Sequence, residues 1–239
     1  MRGLEGYREF EFFRGKVRFK QPRAHRLSIV EILFVANLKG IKKSSKVVDL
    51  GAGFGALSIL TALRYQCQVW AIERDPIMLD LLRYNVRANN LEDKIHILEL
   101  DLRYIKEALS PQSFDVVIAN PPFYKGQATD NIYHHECDTS LEDFIKSGSF
   151  LLKDGRSFNL LMASSRLIEA IINFKKYNIS VASMRIFYPK YDKNGKIIHI
   201  YALKNLKPSL VIEKPLIINE KSGEYTQEVE NILESFFVI

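Results

Sequence analysis

Between residues 46 and 205 short apolar runs alternate with stretches patterned at helical spacing. Lys46–Leu50 (KVVDL) reads as a buried strand and Ala56–Tyr65 as a helix. Gln68–Glu73 (QVWAIE) is a second strand. Pro76 suits the first turn of a helix running through Asn89, since its missing N–H has no partner there anyway. Lys94–Leu100 and Phe114–Ala119 are a third and a fourth strand. Ser140–Leu152 is a helix whose Ser-Leu-Glu-Asp start is a capping signal. Arg156–Met162 is a fifth strand and Arg166–Tyr177 a helix. Two longer runs, Ile179–Tyr188 and Ile197–Leu206, flank Lys193-Asn194-Gly195. Asn-Gly between strand patterns predicts a tight antiparallel hairpin. The tail, 207–239, holds an extended piece (Leu210–Ile218), a Lys-Ser-Gly turn and a helix from Thr226.

This order predicts an α/β fold: a seven-stranded, mostly parallel sheet with a terminal antiparallel hairpin and helices on both faces. Right-handed crossovers place a ligand crevice at the carboxyl ends of the strands. The expected organisation is one domain overall. Residues 1–45 form a basic segment packing on the core, and residues 46–239 form the main domain with its tail.

Composition narrows the class. The 239 residues are 47% apolar and 26% charged, which excludes a largely disordered or fibrous chain. No apolar run is long enough for a membrane span. The start, MRGLEGYREFEFFRGK, carries charges every few residues, unlike a secretory leader. Two cysteines, Cys67 and Cys137, are too few for a disulfide framework, so a cytoplasmic protein is expected.

The net charge of +6 is unevenly distributed: residues 1–46 contain twelve Lys or Arg against four acids, and the remainder sums to −2. Arg14, Lys16, Arg18, Lys20, Arg23 and Arg26 fall in an acid-free stretch interleaved with Phe19 and preceded by Phe12 and Phe13. Cations attract phosphates and aromatic faces stack on bases, which makes Arg14, Lys16, Arg18, Lys20 and Arg23 candidate RNA contacts. A solvated arm with its aromatics tucked onto the body fits the same pattern.

Asp49-Leu50-Gly51-Ala52-Gly53-Phe54-Gly55 follows the first strand and opens the first helix. Glycines there allow a tight turn and close approach of backbone to a ligand. Glu73 ends the second strand, where a carboxylate can accept from both hydroxyls of a ribose. Asp49, just before the glycines, would repel a diphosphate but attract a cationic amino group. That combination points to S-adenosylmethionine. Asp101, after the third strand, is a candidate acceptor for the cofactor's adenine amine, with the Leu102 backbone beside it; a helix N-cap is its other reading.

Ile118-Ala119-Asn120-Pro121-Pro122-Phe123-Tyr124 ends the fourth strand. An exocyclic amine is a poor nucleophile because its lone pair is delocalised into the ring. Two fixed acceptors, the Asn120 side-chain oxygen and the Pro121 carbonyl, can hold its hydrogens and steer the lone pair toward a sulfonium methyl. Prolines stiffen that geometry and Phe123 offers a flat surface. Positioning and charge placement carry most of such catalysis. A planar amide and a nucleobase both satisfy the site, and a base in folded RNA must first leave its stack.

These residues resemble the class I S-adenosylmethionine-dependent methyltransferases with an Asn-Pro-Pro-Phe/Tyr motif, whose sheet is Rossmann-like. Within them the chain is similar to the bacterial tRNA1(Val) adenine-N6-methyltransferase family. Gln21-Pro22 with His25-Arg26-Leu27-Ser28-Ile29, His135-Glu136, Glu213-Lys214-Pro215-Leu216-Ile217-Ile218 and Gly223-Glu224-Tyr225-Thr226 carry that narrower likeness. The resemblance implies cofactor binding by Asp49, Gly51, Gly53, Gly55, Glu73, Asp101, Leu102 and Asn120. It implies catalysis by Asn120, Pro121, Pro122 and Phe123 and tRNA as partner; no membrane is expected from the lack of a long apolar run, and no metal from the ligand spacing. Two positions depart from it. Val30 stands where the family has Asp, with Glu31 next, and His134 replaces the Arg of an Arg-His-Glu turn. The contiguous His134-His135-Glu136 lacks metal-ligand spacing. A release-factor glutamine methylase uses the same motif but carries a helical domain before the first strand; here only a short basic segment precedes it. A non-catalytic, cofactor-binding RNA-associated protein is a third reading, disfavoured by the intact motif.

Overall fold

In the computed structural model, residues 7–22, 26–122, 124–125, 135–136 and 139–238 are described. Arg23, Phe123 and His134 lie outside them, as do the side chains of His135 and Glu136. Strands β1 (Glu9–Phe12) and β2 (Val17–Lys20) come first, joined by Phe13-Arg14-Gly15, all at positive φ. Then come α1 (Ile29–Ala36), β3 (Lys46–Leu50), α2 (Ala56–Tyr65), β4 (Gln68–Glu73), α3 (Pro76–Ala88) and β5 (Ile95–Glu99). A 3-10 turn at 102–104 leads through α4 (Ile105–Ala108) to β6 (Phe114–Ala119). Two short strands, β7 (Tyr124–Lys125) and β8 (His135–Glu136), pair in parallel. The remainder is α5 (Leu141–Leu151), β9 (Leu152–Ala163), α6 (Leu167–Lys176), β10 (Ile179–Tyr188), β11 (Ile197–Lys204), β12 (Val211–Ile212), β13 (Leu216–Ile217) and α7 (Gln227–Glu234).

The central sheet runs β12-β10-β11-β9-β6-β3-β4-β5, with β13 also on β10. Strand β11 is antiparallel to both β9 and β10, while β9, β6, β3, β4 and β5 are mutually parallel. Seven long strands thus form the expected sheet, and the tail adds the short parallel strands β12 and β13 at the β10 edge. Two apolar cores sit on opposite faces. Val47, Val69, Val116 and Ile118 pack with α1, α2 and α3 on one; Val48, Leu50, Val117 and Ala119 pack with α5 and α6 on the other. The near-continuous apolar strand sequences follow from this two-sided burial.

One turn differs from its sequence reading. Residues 189–196 form a longer loop between β10 and β11, and neither Asn194 nor Gly195 takes a positive φ. Packing explains the glycine: a Cβ at 195 would stand 2.3 Å from Ile186 Cγ2 and 3.1 Å from the Tyr188 ring.

The basic segment is a docked hairpin. Val17 and Phe19 are fully buried, and Phe19 meets Phe54 edge-on at 5.8 Å. Helix α3 binds its free edge through two side-chain amides. Asn85 receives the Lys20 N–H at 2.7 Å and donates to the Lys20 carbonyl at 2.9 Å. Asn89 does the same for Arg18 at 2.9 and 2.7 Å. Phe13 stacks on Phe236 at 4.8 Å. Phe12, Phe13 and Phe19 therefore pack into the body and offer no stacking platform, as the tucked-in reading expects. The hairpin register sets Glu9 opposite Lys20 and Glu11 opposite Arg18, with Glu11 and Arg18 paired at 3.3 Å. Acids ahead of the basic run are thus folded back onto it.

Replacing Phe19 with Ala should destabilise the protein by about 3–5 kcal/mol through the cavity left against Phe54. Denaturant unfolding followed by circular dichroism measures this; a loss under about 1 kcal/mol would mean that the hairpin is not part of the core.

Candidate active site

Parallel register brings the strand ends to one level: Leu50 pairs with Ile72 on one side and with Ala119 on the other. Beyond Leu50 the chain turns through Gly51, Gly53 and Gly55 at φ of 71°, 56° and 93°. A Cβ at Gly55 would lie 2.4 Å from Leu82 Cδ1, and one at Gly51 3.0 Å from the Phe144 ring. At Gly53 a Cβ would meet nothing within 4 Å, so this side of the loop is open to a ligand. The loop is fastened by the Ala52 N–H to the Ile72 carbonyl and the Gly53 N–H to Glu73 Oε2, at 2.9 and 2.7 Å. Glu73 Oε1 accepts from the backbone N–H groups of Arg74 and Asp75, both at 2.8 Å. Asn85, which holds the basic hairpin, also donates to the Phe54 carbonyl at 2.9 Å, tying hairpin to loop.

Asp49 lies beneath this loop, 1% exposed, and accepts a 2.6 Å bond from the Ser58 hydroxyl of α2. Burial pushes its carboxyl up to about 7, with Glu73 and Glu31 adding and the Ser58 bond opposing. Asp101 is the opposite case. Its oxygens accept from the Arg103 guanidinium, the Arg103 N–H and, at 2.8 Å, the Arg74 guanidinium. These bonds, those of Arg103 first, hold it well below the usual carboxylate range. Asp101 is the N-cap of the 3-10 turn, and Leu102 beyond it is buried. Any bond from Asp101 to a ligand amine would compete with Arg74.

Asn120 follows β6. Its Oδ1 is buried without a hydrogen-bond partner, and its Nδ2 donates to Glu31 Oε1 over a long 3.4 Å. Pro121 is buried behind it. The Pro122 carbonyl accepts at 3.1 Å from Arg166, which is 7% exposed and pairs with Glu169 at 3.0 Å. Glu31 is buried and its carboxyl is raised by burial, against bonds from Ser28 and Asn120.

Asp49, the glycines, Glu73 and Asn120 are therefore brought to one end of the sheet. Sequence reasoning missed Glu31 and Arg166 as members of the site. The first carried a signal, the capping box Ser28-x-x-Glu31, which fixes the carboxylate at the start of α1. Arg166 carried none, because its link to Pro122 spans 44 residues. No cluster of His, Cys, Asp and Glu able to hold a metal occurs among the described residues.

Asp49 suits a positively charged ligand: it is buried and met by a hydroxyl rather than by a guanidinium group. Asp49 binds a proton more tightly folded than unfolded, so its stabilising contribution is present below about pH 4 and lost as pH rises through about 7. Asp49→Asn should therefore raise the melting temperature at pH 8 relative to the parent protein, with a smaller gain at pH 4.5. Equal shifts at both values in thermal melts would contradict this burial effect.

The methyltransferase small domain family matches residues 25–178. The chain is 25% identical over 210 residues to the tRNA1(Val) (adenine(37)-N6)-methyltransferase of Haemophilus influenzae strain PittGG, covering 83% of this chain and 85% of that one. It is 24% identical to the protein of that name from Dyadobacter fermentans, covering 83% and 85%. Among solved structures, a predicted O-methyltransferase from Agrobacterium tumefaciens superposes with a TM-score of 0.72 at 22% identity, covering 87% of this chain and 96% of that one. M. jannaschii TYW2 in complex with AdoMet gives 0.58 at 19% identity, covering 85% and 89%. The family match spans well over half of the sequence, and the chain belongs to the methyltransferase small domain family.

Proposed function

We propose that this protein transfers a methyl group from S-adenosylmethionine to the exocyclic N6 amine of an adenine in tRNA, the adenine beside the anticodon of tRNA1(Val). The observation that carries the reading is the buried, unpartnered Oδ1 of Asn120 at the end of β6, level with the glycine loop. Such an oxygen is stabilised by an N–H donor, and an adenine amine supplies one. The relatives' shared name supports the choice of substrate. Bound S-adenosylmethionine would supply the methyl group on a cationic sulfur.

In this reading Asp49 faces the cofactor's ammonium, Glu73 its ribose hydroxyls, and Gly51, Gly53 and Gly55 let the backbone approach. Asp101 and Leu102 lie along the adenine end. Asn120 Oδ1 and the Pro121 carbonyl accept the two hydrogens of the substrate amine, Pro122 stiffens the turn, and Phe123 faces the base. Held by these two acceptors, the amine would take up the methyl group that the cofactor supplies and would then release one proton to water. Arg14, Lys16, Lys20 and Arg23 attract the RNA backbone, with Arg18 shared with Glu11. Asn85 bonds both the Lys20 carbonyl and the Phe54 carbonyl of the glycine loop, so the Lys20 end of the hairpin sits against that loop. Work on tRNA places the protein in the cytoplasm; no described helix is long and apolar enough to cross a membrane.

The direct test uses cofactor labelled in its methyl group with tRNA from a strain lacking the modification, and release factor as competing acceptor. Label should enter tRNA as N6-methyladenine and depend on Asn120. Asn120→Ala should lower transfer at least 100-fold with cofactor affinity nearly unchanged. Label entering release factor alone would replace this reading with a glutamine methylase. A second prediction concerns the hairpin. Neutralising Arg14, Lys16 and Arg18 together should weaken tRNA binding and flatten its salt dependence by up to three in log–log slope. An unchanged slope in filter binding would remove the hairpin from the RNA interface.

A further inference from the structure

We propose that Glu31 is a positioning residue for this reaction: its carboxylate engages the Asn120 amide nitrogen and thereby aims Asn120 Oδ1 at the incoming amine. The inference rests on the reading of Asn120 given above and adds a residue to it. A side-chain amide is nearly symmetric in shape, so either end fits the same space. Which end faces the substrate is decided by the partner of the other end. A charged carboxylate accepts hydrogen bonds and donates none, and although burial raises the Glu31 carboxyl, the bonds from Ser28 and Asn120 oppose that and favour the charged form, toward which Nδ2 is the end that turns.

The geometry meets that requirement. Glu31 Oε2 is occupied by the Ser28 N–H at 2.9 Å and the Ser28 hydroxyl at 3.1 Å. That leaves Oε1 for Asn120, 3.4 Å from Nδ2. The contact is long, as hydrogen bonds in sites without substrate often are. Glu31 lies in the first turn of α1, where the helix dipole favours negative charge. Its backbone is fixed by the capping box and its surroundings are buried, so the carboxylate has little freedom to turn away. The opposite side of the motif is held independently, by Arg166 on the Pro122 carbonyl. Asn120 is thus held at Nδ2 and its loop at the Pro122 carbonyl, while Oδ1, the atom that transfer needs, has no partner.

Glu31→Gln tests the role, because glutamine keeps size and shape but adds an N–H donor that lets Asn120 turn over. Single-turnover methyl transfer to unmodified tRNA should fall about 10- to 100-fold, with KM for tRNA and cofactor affinity within a factor of two. The Asn120 side-chain amide signals, assigned by their loss in Asn120→Ala, should shift and exchange faster with solvent. Glu31→Ala should show the same split if the glutamine variant folds poorly. A capping role alone would instead lower the melting temperature and cofactor affinity together with the rate, and that result would overturn the proposal, as would an unchanged rate. If the parent protein methylates no RNA while the amide signals still respond to Glu31→Gln, the reading of the activity fails and the Glu31–Asn120 pairing stands. If the signals do not respond, the pairing itself is wrong.

Discussion

The parallel register of β3 between β4 and β6 is the constraint on which the site depends. Parallel strands share direction, so their carboxyl ends fall on one edge and whatever residue follows each strand is delivered there. Leu50, Ile72 and Ala119 lie at one level, and the glycine loop, Glu73 and Asn120 emerge from these three strands. A slip of one residue in β3 would exchange its two faces. Asp49 would then point toward the α5 side and lose Ser58. Both apolar cores oppose such a slip, because Val47 and Val48 each belong to a different one.

Charge is sorted within this edge. Asp101 is paired with two guanidinium groups, those of Arg74 and Arg103. Asp49 is buried and bonded by the neutral Ser58 hydroxyl, and burial holds its carboxyl above the usual range. Buried carboxylates of the second kind are unfavourable until a cation arrives. The energetic cost of burying such a carboxylate favours a positively charged ligand beside it.

Much of this was readable in the sequence, and the unread parts share a physical cause. The strands β3, β4, β6 and β10 begin and end where their apolar runs do, because strands covered on both faces leave an unbroken hydrophobic record. The glycines, Asp49 and Asn120 stood out because backbone conformation and strand-end chemistry restrict them locally. Arg166 did not, because its role is set by the Pro122 carbonyl 44 residues away. Asn85 and Asn89 likewise carried no local signal, because they complete the hydrogen bonding of β2 more than 60 residues earlier. Asn-Gly was misread because glycine also permits close packing, and at Gly195 that use prevailed over a left-handed turn.

The aromatic cluster at the hairpin turn has a consequence for how the chain is made. Phe13 contacts Phe236 and Phe237, residues separated from it by nearly the whole sequence. On the ribosome the hairpin can pair its strands early, and α3 can offer Asn85 and Asn89 midway through. The turn gains its stacked partners only after residue 237 has been added. The basic arm is therefore among the last parts to become rigid during synthesis, after the glycine loop that it leans on.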